Sequence, residues 1–153
     1  MNTRLQVEHP VTELITGEDL VAWQLAVAEG RPLPKSQEQI QRHGAAMEVR
    51  LYAENPYQQF LPSAGPLEQL RWPAQVRVDS GFEAGDRVSD HYDPMIAKLI
   101  SHGGDRDQAR RRLVAALDDL AISGVHHNAA FLHRVLSSPV FADAELDLSL
   151  IHI

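Results

Sequence analysis

The sequence contains no cysteine. That excludes disulfides, iron–sulfur clusters, thiolate zinc sites and cysteine nucleophiles. No apolar run approaches ~18 residues, so no segment reads as a membrane-spanning helix. The opening stretch, MNTRLQVEHP, has no apolar signal core. Secretion by a standard signal peptide is therefore not expected, which leaves the cytoplasm, as in a bacterium, or an organelle matrix. Positive charge is in deficit: 14 Lys and Arg against 21 Asp and Glu give a formal net charge of −7. A general nucleic-acid binder needs a net basic face, so none is expected here. Internal repeats and low-complexity tracts are lacking as well.

What is present fits a soluble globular chain: 153 residues, 44% hydrophobic and 23% charged, enough for one compact domain. Yet Asn2, Arg4, Gln6, Glu8 and His9 crowd the first nine residues. Domains more often begin with a loose terminus, so the length is expected to describe a piece of a longer protein.

Three helices are predicted. The first runs from about Glu18 to Glu29, capped by Thr16, with a buried stripe of Leu20, Trp23 and Val27 widened by Val21, Leu25 and Ala28. The second runs from about Arg106 to Leu120, with Asp105 as N-cap, Gln108 completing its box, and Ala109, Leu113, Ala116, Leu117 and Leu120 buried. Arg110, Arg111 and Arg112 read as a solvated face on which Asp107 pairs with Arg111. The third runs from about Ala129 to Leu136, capped by Asn128. Between the first two the period changes to two: Met47, Val49 and Leu51 alternate with Glu48, Arg50 and Tyr52, a strand with one polar face. Further strands are expected near Leu67–Trp72, Val76–Asp79 and Met95–Ile100. Strands in the middle with helices at both ends predict an α+β fold with a mostly antiparallel sheet. Pro32 to Arg42 is the most linker-like stretch, and Trp23 and Trp72 are expected in the core.

The first candidate site is NTRLQVEHPVTE, residues 2–13. If Leu5 to Glu8 is extended, Arg4, Gln6 and Glu8 share one face, and Pro10 ends the ladder. A cation, an amide and a carboxylate together suit a small anion that Arg binds bidentately and Glu deprotonates. The same spacing is also that of ordinary charges on an exposed strand. The second candidate is Arg50, which shares a face with Glu48 and Tyr52. It either pairs with Glu48 or holds a developing oxyanion, and spacing does not choose between these. Of the eight histidines, His126 and His127 point to opposite faces of a strand, and His133 has no carboxylate nearby in sequence, so a zinc site is not expected. His9 reads as a loop-orienting residue. Tyr92-Asp93-Pro94-Met95 is assigned to packing and loop shape.

Five segments in order resemble the biotin carboxylases: MNTRLQVEHPVTELITGEDL at 1–20, GAAMEVRLYAENP at 44–56, FLPSAGPL at 60–67, VDSGFEAGDRVSDHYDPMIAKLISHGGDRDQA at 78–109 and ISGVHHNAAFLHRVLSSPVF at 122–141. An ordered series is far more specific than one motif. The resemblance implies the end of an ATP-grasp domain at 1–34, followed by the biotin carboxylase C-terminal domain at 35–147, a mostly antiparallel sheet with flanking helices. The carbamoyl phosphate synthetases share the Met-Asn-X-Arg start but do not follow it with Gln-Val-Glu-His.

The resemblance also implies a reaction: ATP and bicarbonate give carboxyphosphate, and its CO2 passes to N1′ of biotin on a carrier domain. By position, Asn2 is similar to the Asn that helps bind Mg²⁺ (or Mn²⁺), and Arg4 to the Arg that binds bicarbonate and carboxyphosphate. Gln6 and the Val7 backbone are similar to the other bicarbonate contacts. Glu8 resembles the general base that deprotonates bicarbonate. Arg50 resembles the Arg that stabilises the biotin enolate. The implied partners are a biotin carboxyl carrier domain, a carboxyltransferase subunit and, in the full-length protein, a second copy of the chain. RLYAENP and YDPMIAKLI lean towards subunits that serve acetyl-, propionyl- or methylcrotonyl-CoA carboxylation. A urea or pyruvate carboxylase segment, or a non-catalytic dimerisation or binding module, remains as an alternative.

The family's glycine-rich loop, phosphate-binding lysines and metal-binding Glu do not occur in these residues, so the chain alone is expected to be inactive. LSLIHI at 148–153 replaces the usual Thr-Gly-Phe-Ile continuation. It is what one frame of CTGTCTCTTATACACATC encodes, which resembles a transposase end used in sequencing libraries. Residues 148–153 are therefore expected to be a non-native tail.

Overall fold

The computed structural model describes residues 2–145, so the expected tail at 148–153 lies outside the described residues. Along the chain come α1 (His9–Thr16), α2 (Leu20–Ala28), β1 (Ala45–Tyr52), β2 (Glu54–Asn55), β3 (Leu61–Pro62), β4 (Gly65–Pro66) and β5 (Gln69–Arg71). They are followed by β6 (Arg77–Ser80), β7 (Arg87–Val88), β8 (Met95–Gly103), α3 (Arg106–Asp119), β9 (Ala121–Ser123), α4 (Ala129–Ser137) and α5 (Pro139–Ala142). Among the described residues every strand pair is antiparallel, so the expected α+β class with a mostly antiparallel sheet is what forms.

The centre is a three-stranded sheet in the order β1-β8-β6. Its register sets Val49 against Leu99, Arg50 against Lys98 and Leu51 against Ala97; on the other side of β8, Val78 meets Leu99 and Asp79 meets Lys98. Strand alternation then sorts the two faces. Val49, Leu51 and Leu99 turn to one face, where Leu113 and Leu117 of α3 and Leu136 of α4 complete the core. Glu48, Arg50, Lys98, Asp79 and Arg77 turn to the other. That charged face is covered by α1, which touches both β1 and β8.

The α3 helix follows its sequence closely. Asp105 accepts from the Gln108 N–H at 2.7 Å, while the Gln108 side chain reaches back to the Gly104 N–H, also at 2.7 Å. Asp107 pairs with Arg111 at 2.7 Å. The three arginines do not all lie free in solvent, however. Arg110 is largely buried and donates to the Leu136 carbonyl at 2.9 Å, tying α3 to α4, and Arg112 donates to the His102 carbonyl.

The N-terminal part departs from expectation. Leu5 to Glu8 is not a strand: it turns into α1, which starts at His9 with Pro10 in its first turn. Proline suits that place, because its missing N–H has no helical partner to lose. The helix ends at Gly17, whose φ of 74° is the left-handed cap conformation and whose N–H donates to the Glu13 carbonyl. α2 is capped by Asp19, which accepts from the Ala22 N–H at 2.8 Å, and not by Thr16, whose hydroxyl donates back to the Thr12 carbonyl. The expected buried stripe on α2 is not buried either. Leu25 is 62% exposed and Val27 49%, and only Ala26 is buried. LVAWQLAVA carries one polar residue, so the helix is apolar all round and the described residues cover only part of it. Trp72 packs on the core as expected, whereas Trp23 is half-buried beside a groove next to α2.

Candidate active site

Glu8 stands at the N-cap position of α1, but its side chain does not cap the helix. The carboxylate is left free to reach across to β1, where Arg50 Nη2 donates to Glu8 Oε2 at 2.8 Å. Both side chains stay partly in solvent, 55% exposed for Glu8 and 41% for Arg50. Arg50 thus pairs with Glu8, and not with Glu48 as the strand pattern alone allowed.

Arg50 sits on an edge strand next to a register shift between Leu51 and Tyr52. Asn128 is the N-cap residue of α4, as the sequence marks it, but its side chain holds this edge and does not cap the helix. Its Oδ1 accepts from the Tyr52 N–H at 3.0 Å and its Nδ2 donates to the Arg50 carbonyl at 3.2 Å. Its own N–H donates to the Tyr52 carbonyl at 3.2 Å. A buried amide thereby takes the place of a neighbouring strand beside Arg50.

The segment before α1 is fastened from below. Lys98 Nζ donates to the Val7 carbonyl at 2.8 Å and lies 3.4 Å from Asp79 Oδ2. Arg77 grips Asp79 through two hydrogen bonds, 2.8 and 3.0 Å, and reaches Glu13 of α1 at 2.8 Å. Glu13 also accepts from the Leu20 N–H at 3.1 Å, joining α1 to α2. His9 shapes the loop as expected, with Nδ1 2.9 Å from the Gln6 carbonyl.

Arg4, Gln6 and Glu8 line one groove of about 650 Å³, together with His9 and the apolar Leu5, Leu20, Trp23, Val27 and Leu33. The structure thus brings the three residues together, by a turn and not by strand alternation. Among the described residues the Gln6 amide makes only long contacts, 3.4 Å to the carbonyls of Asn2 and Arg4. Among the described residues Arg4 has no ion-pair partner. Asn2 is exposed at the start of the segment.

Charges on this face are uneven. Glu48 has both carboxylate oxygens buried without a hydrogen-bond partner. Burial raises its pKa, and the charges of Lys98 and Arg50 offset this only in part. Burial pushes Asp79 up too, but the Arg77 hydrogen bonds and the charges of Arg77 and Lys98 outweigh it, so its pKa falls below the usual carboxylate value. Arg77, hydrogen-bonded to Asp79 and Glu13, is held still more firmly as a cation.

Two smaller expectations change. His133 does have a carboxylate beside it, Asp118 at 3.1 Å, supplied by α3 in space and not by the local sequence. Tyr92 is 85% exposed, so it contributes little packing, whereas Asp93 shapes its loop as expected by accepting from the Met95 N–H at 2.9 Å. Two further residues at the site, Lys98 and Asn128, carry no site motif in the sequence. The available signal for Lys98 was a lone cation in the apolar run of β8.

Two family models match the chain: the biotin carboxylase C-terminal domain over residues 48–152, and the ATP binding domain of the carbamoyl-phosphate synthase L chain over residues 1–36. The alpha subunit of mitochondrial methylcrotonoyl-CoA carboxylase from Dictyostelium discoideum is 50% identical over 156 residues, covering 100% of this chain and 22% of the relative. The mitochondrial propionyl-CoA carboxylase alpha chain of Homo sapiens is 51% identical over 150 residues, covering 95% and 21%. Among solved structures, the biotin carboxylase domain dimer of the Hydrogenobacter thermophilus 2-oxoglutarate carboxylase, in complex with MgADP, ADP and bicarbonate, superposes with a TM-score of 0.95 at 38% identity. It covers 99% of this chain and 34% of that one. The chain spans about a fifth of the length of the curated relatives it matches.

Proposed function

The chain belongs to the biotin carboxylase C-terminal domain family, and from that membership we propose that it works as the bicarbonate- and biotin-facing part of a longer, ATP-dependent carboxylase. The observation that carries this reading is the meeting of Arg50 at 2.8 Å with Glu8, which lines one groove together with Arg4 and Gln6. In the proposed arrangement residues 1–34 end an ATP-grasp domain and 35–147 form the C-terminal domain.

Bicarbonate is a planar anion, and an Arg4 fork matches two of its oxygens. Gln6 and the Val7 backbone add hydrogen bonds. Glu8 takes the remaining proton, so that the bicarbonate oxygen can attack the γ-phosphate of ATP as ADP leaves. Arg50 faces the biotin side. Biotin, when bound on its carrier, supplies the ureido nitrogen that accepts CO2. Loss of the N1′ proton puts negative charge on the ureido oxygen, and the Arg50 guanidinium, whose backbone is held by strand pairing and the Asn128 amide, is proposed to meet it. The groups that hold ATP are assigned to the rest of the longer protein.

For Mg²⁺ this segment offers little by itself. Among the described residues no three His, Cys, Asp or Glu side chains converge, and Asn2 offers one amide oxygen. Mg²⁺ takes six oxygens, usually including carboxylates and substrate phosphates. Asn2 is therefore proposed as a contributing ligand only.

Identities of 50% and 51% to two acyl-CoA carboxylase chains, against 42% to a urea carboxylase and 38% to the 2-oxoglutarate enzyme, support an acyl-CoA carboxylase as the parent. A carrier domain, a carboxyltransferase and a second copy of the chain are the proposed partners. Both curated relatives are named as mitochondrial, and among the described residues no helix is long and apolar enough to cross a membrane. The cytoplasm or an organelle matrix is the proposed location.

The test is bicarbonate-dependent ATP turnover and biotin carboxylation by the longer parent. Glu8→Gln should abolish both while nucleotide still binds. Turnover like the wild type would remove Glu8 from the base role.

A further inference from the structure

Lys98 occupies the middle of β8, opposite Arg50 on one side and Asp79 on the other. Its neighbours along the strand, Ala97 and Leu99, are fully buried, and Lys98 itself is only 8% exposed. A lysine there is costly, because a buried ammonium must have its donors met. On a sheet that needed only packing, an apolar side chain of similar volume would serve as well or better.

Asp79 does not explain the cost. Arg77 already holds Asp79 through two hydrogen bonds, at 2.8 and 3.0 Å, while Lys98 stands off at 3.4 Å. The short contact made by Lys98 is the one to the Val7 carbonyl, at 2.8 Å. Val7 lies between Gln6 and Glu8. Its carbonyl shares one rigid peptide plane with the Glu8 nitrogen, so fixing that oxygen fixes the base of the Glu8 side chain. The same strand pairing places Arg50 directly beside Lys98. One ammonium therefore ties the loop of the proposed base to the strand of the proposed biotin-facing arginine.

We propose that Lys98 is a positioning residue: by holding the Val7 carbonyl it sets where Glu8 stands relative to Arg50. The inference deepens the function proposed above and rests on the roles given there to Glu8 and Arg50. Lys98 touches no substrate and acts through the loop. Displacing a reacting group by about 1 Å is enough to cost on the order of 100-fold in rate.

The experiment uses the longer parent, with Lys98→Met, Lys98→Gln and Lys98→Arg. Bicarbonate and ATP are varied separately, and each variant's crystal structure is determined. For Lys98→Met, kcat/KM for bicarbonate should fall about 100-fold, KM for ATP should stay within about twofold, and Glu8 should leave hydrogen-bond distance of Arg50. Lys98→Gln keeps a polar group but is too short for the Val7 carbonyl, so it should show the same split and serves if Lys98→Met does not fold. Lys98→Arg, which still donates to that carbonyl, should recover activity to within about tenfold. A folded Lys98→Met or Lys98→Gln with unchanged bicarbonate kinetics and an intact Glu8–Arg50 pair overturns the inference. So does an equal loss on ATP and bicarbonate with the pair intact, which marks a purely structural lysine. If Glu8→Gln proves fully active, the role given to Glu8 fails, and the Glu8–Arg50 distance in the Lys98 variants still decides what Lys98 does.

Discussion

Glu8 and Arg50 lie 42 residues apart in sequence, yet their charged groups meet at 2.8 Å with both side chains partly in solvent. An exposed pair of this kind contributes only about 0–1 kcal/mol. The contact is therefore cheap to open, as it must be if bicarbonate and biotin are to use the two groups in turn.

The first expectation separates stability from activity at this pair. Glu8→Gln should change the unfolding free energy by less than about 1 kcal/mol in urea while abolishing bicarbonate-dependent turnover in the longer parent. A large stability loss would mean that Glu8 is chiefly a structural residue.

Asn128 should behave in the opposite way. Replacing it with Ala removes the donor and acceptor that satisfy the Arg50 carbonyl and the Tyr52 N–H at the edge of β1. Leaving such groups unpaired costs about 2 kcal/mol, which urea unfolding of Asn128→Ala should report. A loss below about 0.5 kcal/mol would show that water replaces the amide without penalty.

Glu48 gives a pH dependence with a definite sign. Its folded-state pKa is raised above 4.5, first by burial and against the pull of Lys98 and Arg50. The stability it contributes is complete below the unfolded value and is lost as pH rises through the folded value. Glu48→Gln does not titrate. Its melting temperature relative to the wild type should therefore improve as pH goes from about 4 to about 7. A difference that is constant across this range would show that Glu48 is not the group responsible.

Gly124 holds the approach of β9 to the β4–β5 turn. Its φ is +100°, and a Cβ there would stand 2.0 Å from the Pro66 carbonyl oxygen and 3.0 Å from the Glu68 nitrogen, both backbone atoms. Gly124→Ala should cost about 3 kcal/mol or more, since neither strain nor clash can relax through a side chain. Gly81 has nothing within 4 Å of its would-be Cβ. Gly81→Ala should stay within about 0.5 kcal/mol, and similar melting temperatures for both variants would contradict the contrast.

The parts legible in the sequence are those whose cause is local. Asp105 caps α3 because the residue types and spacing suffice, and the alternation of β1 foretells which of Glu48, Val49, Arg50 and Leu51 face the core. α1 was hidden because Pro10, Val11, Thr12, Ile15 and Thr16 are poor or indifferent helix formers. What holds that helix is distant: Glu13 is tied to Leu20 and Arg77. Asn128 stands at the N-cap position of α4 as expected, but its amide serves the strand edge, and only the fold brings Tyr52 and Arg50 beside it. Glu8 and Arg50 were each visible as candidates, but nothing local says that they touch.

β1 hands its even-numbered and odd-numbered residues to different tasks, Glu48 and Arg50 to the charged face and Val49 and Leu51 to the core. Loss or gain of a single residue between positions 45 and 50 would exchange the two sets at once, sending the arginine into the core and a leucine to the charged face. Substitutions can tune this strand one position at a time, but its length can change only in steps of two. Among descendants of this chain, variation in length should therefore collect in the exposed stretch ahead of β1 and stay out of the strand itself.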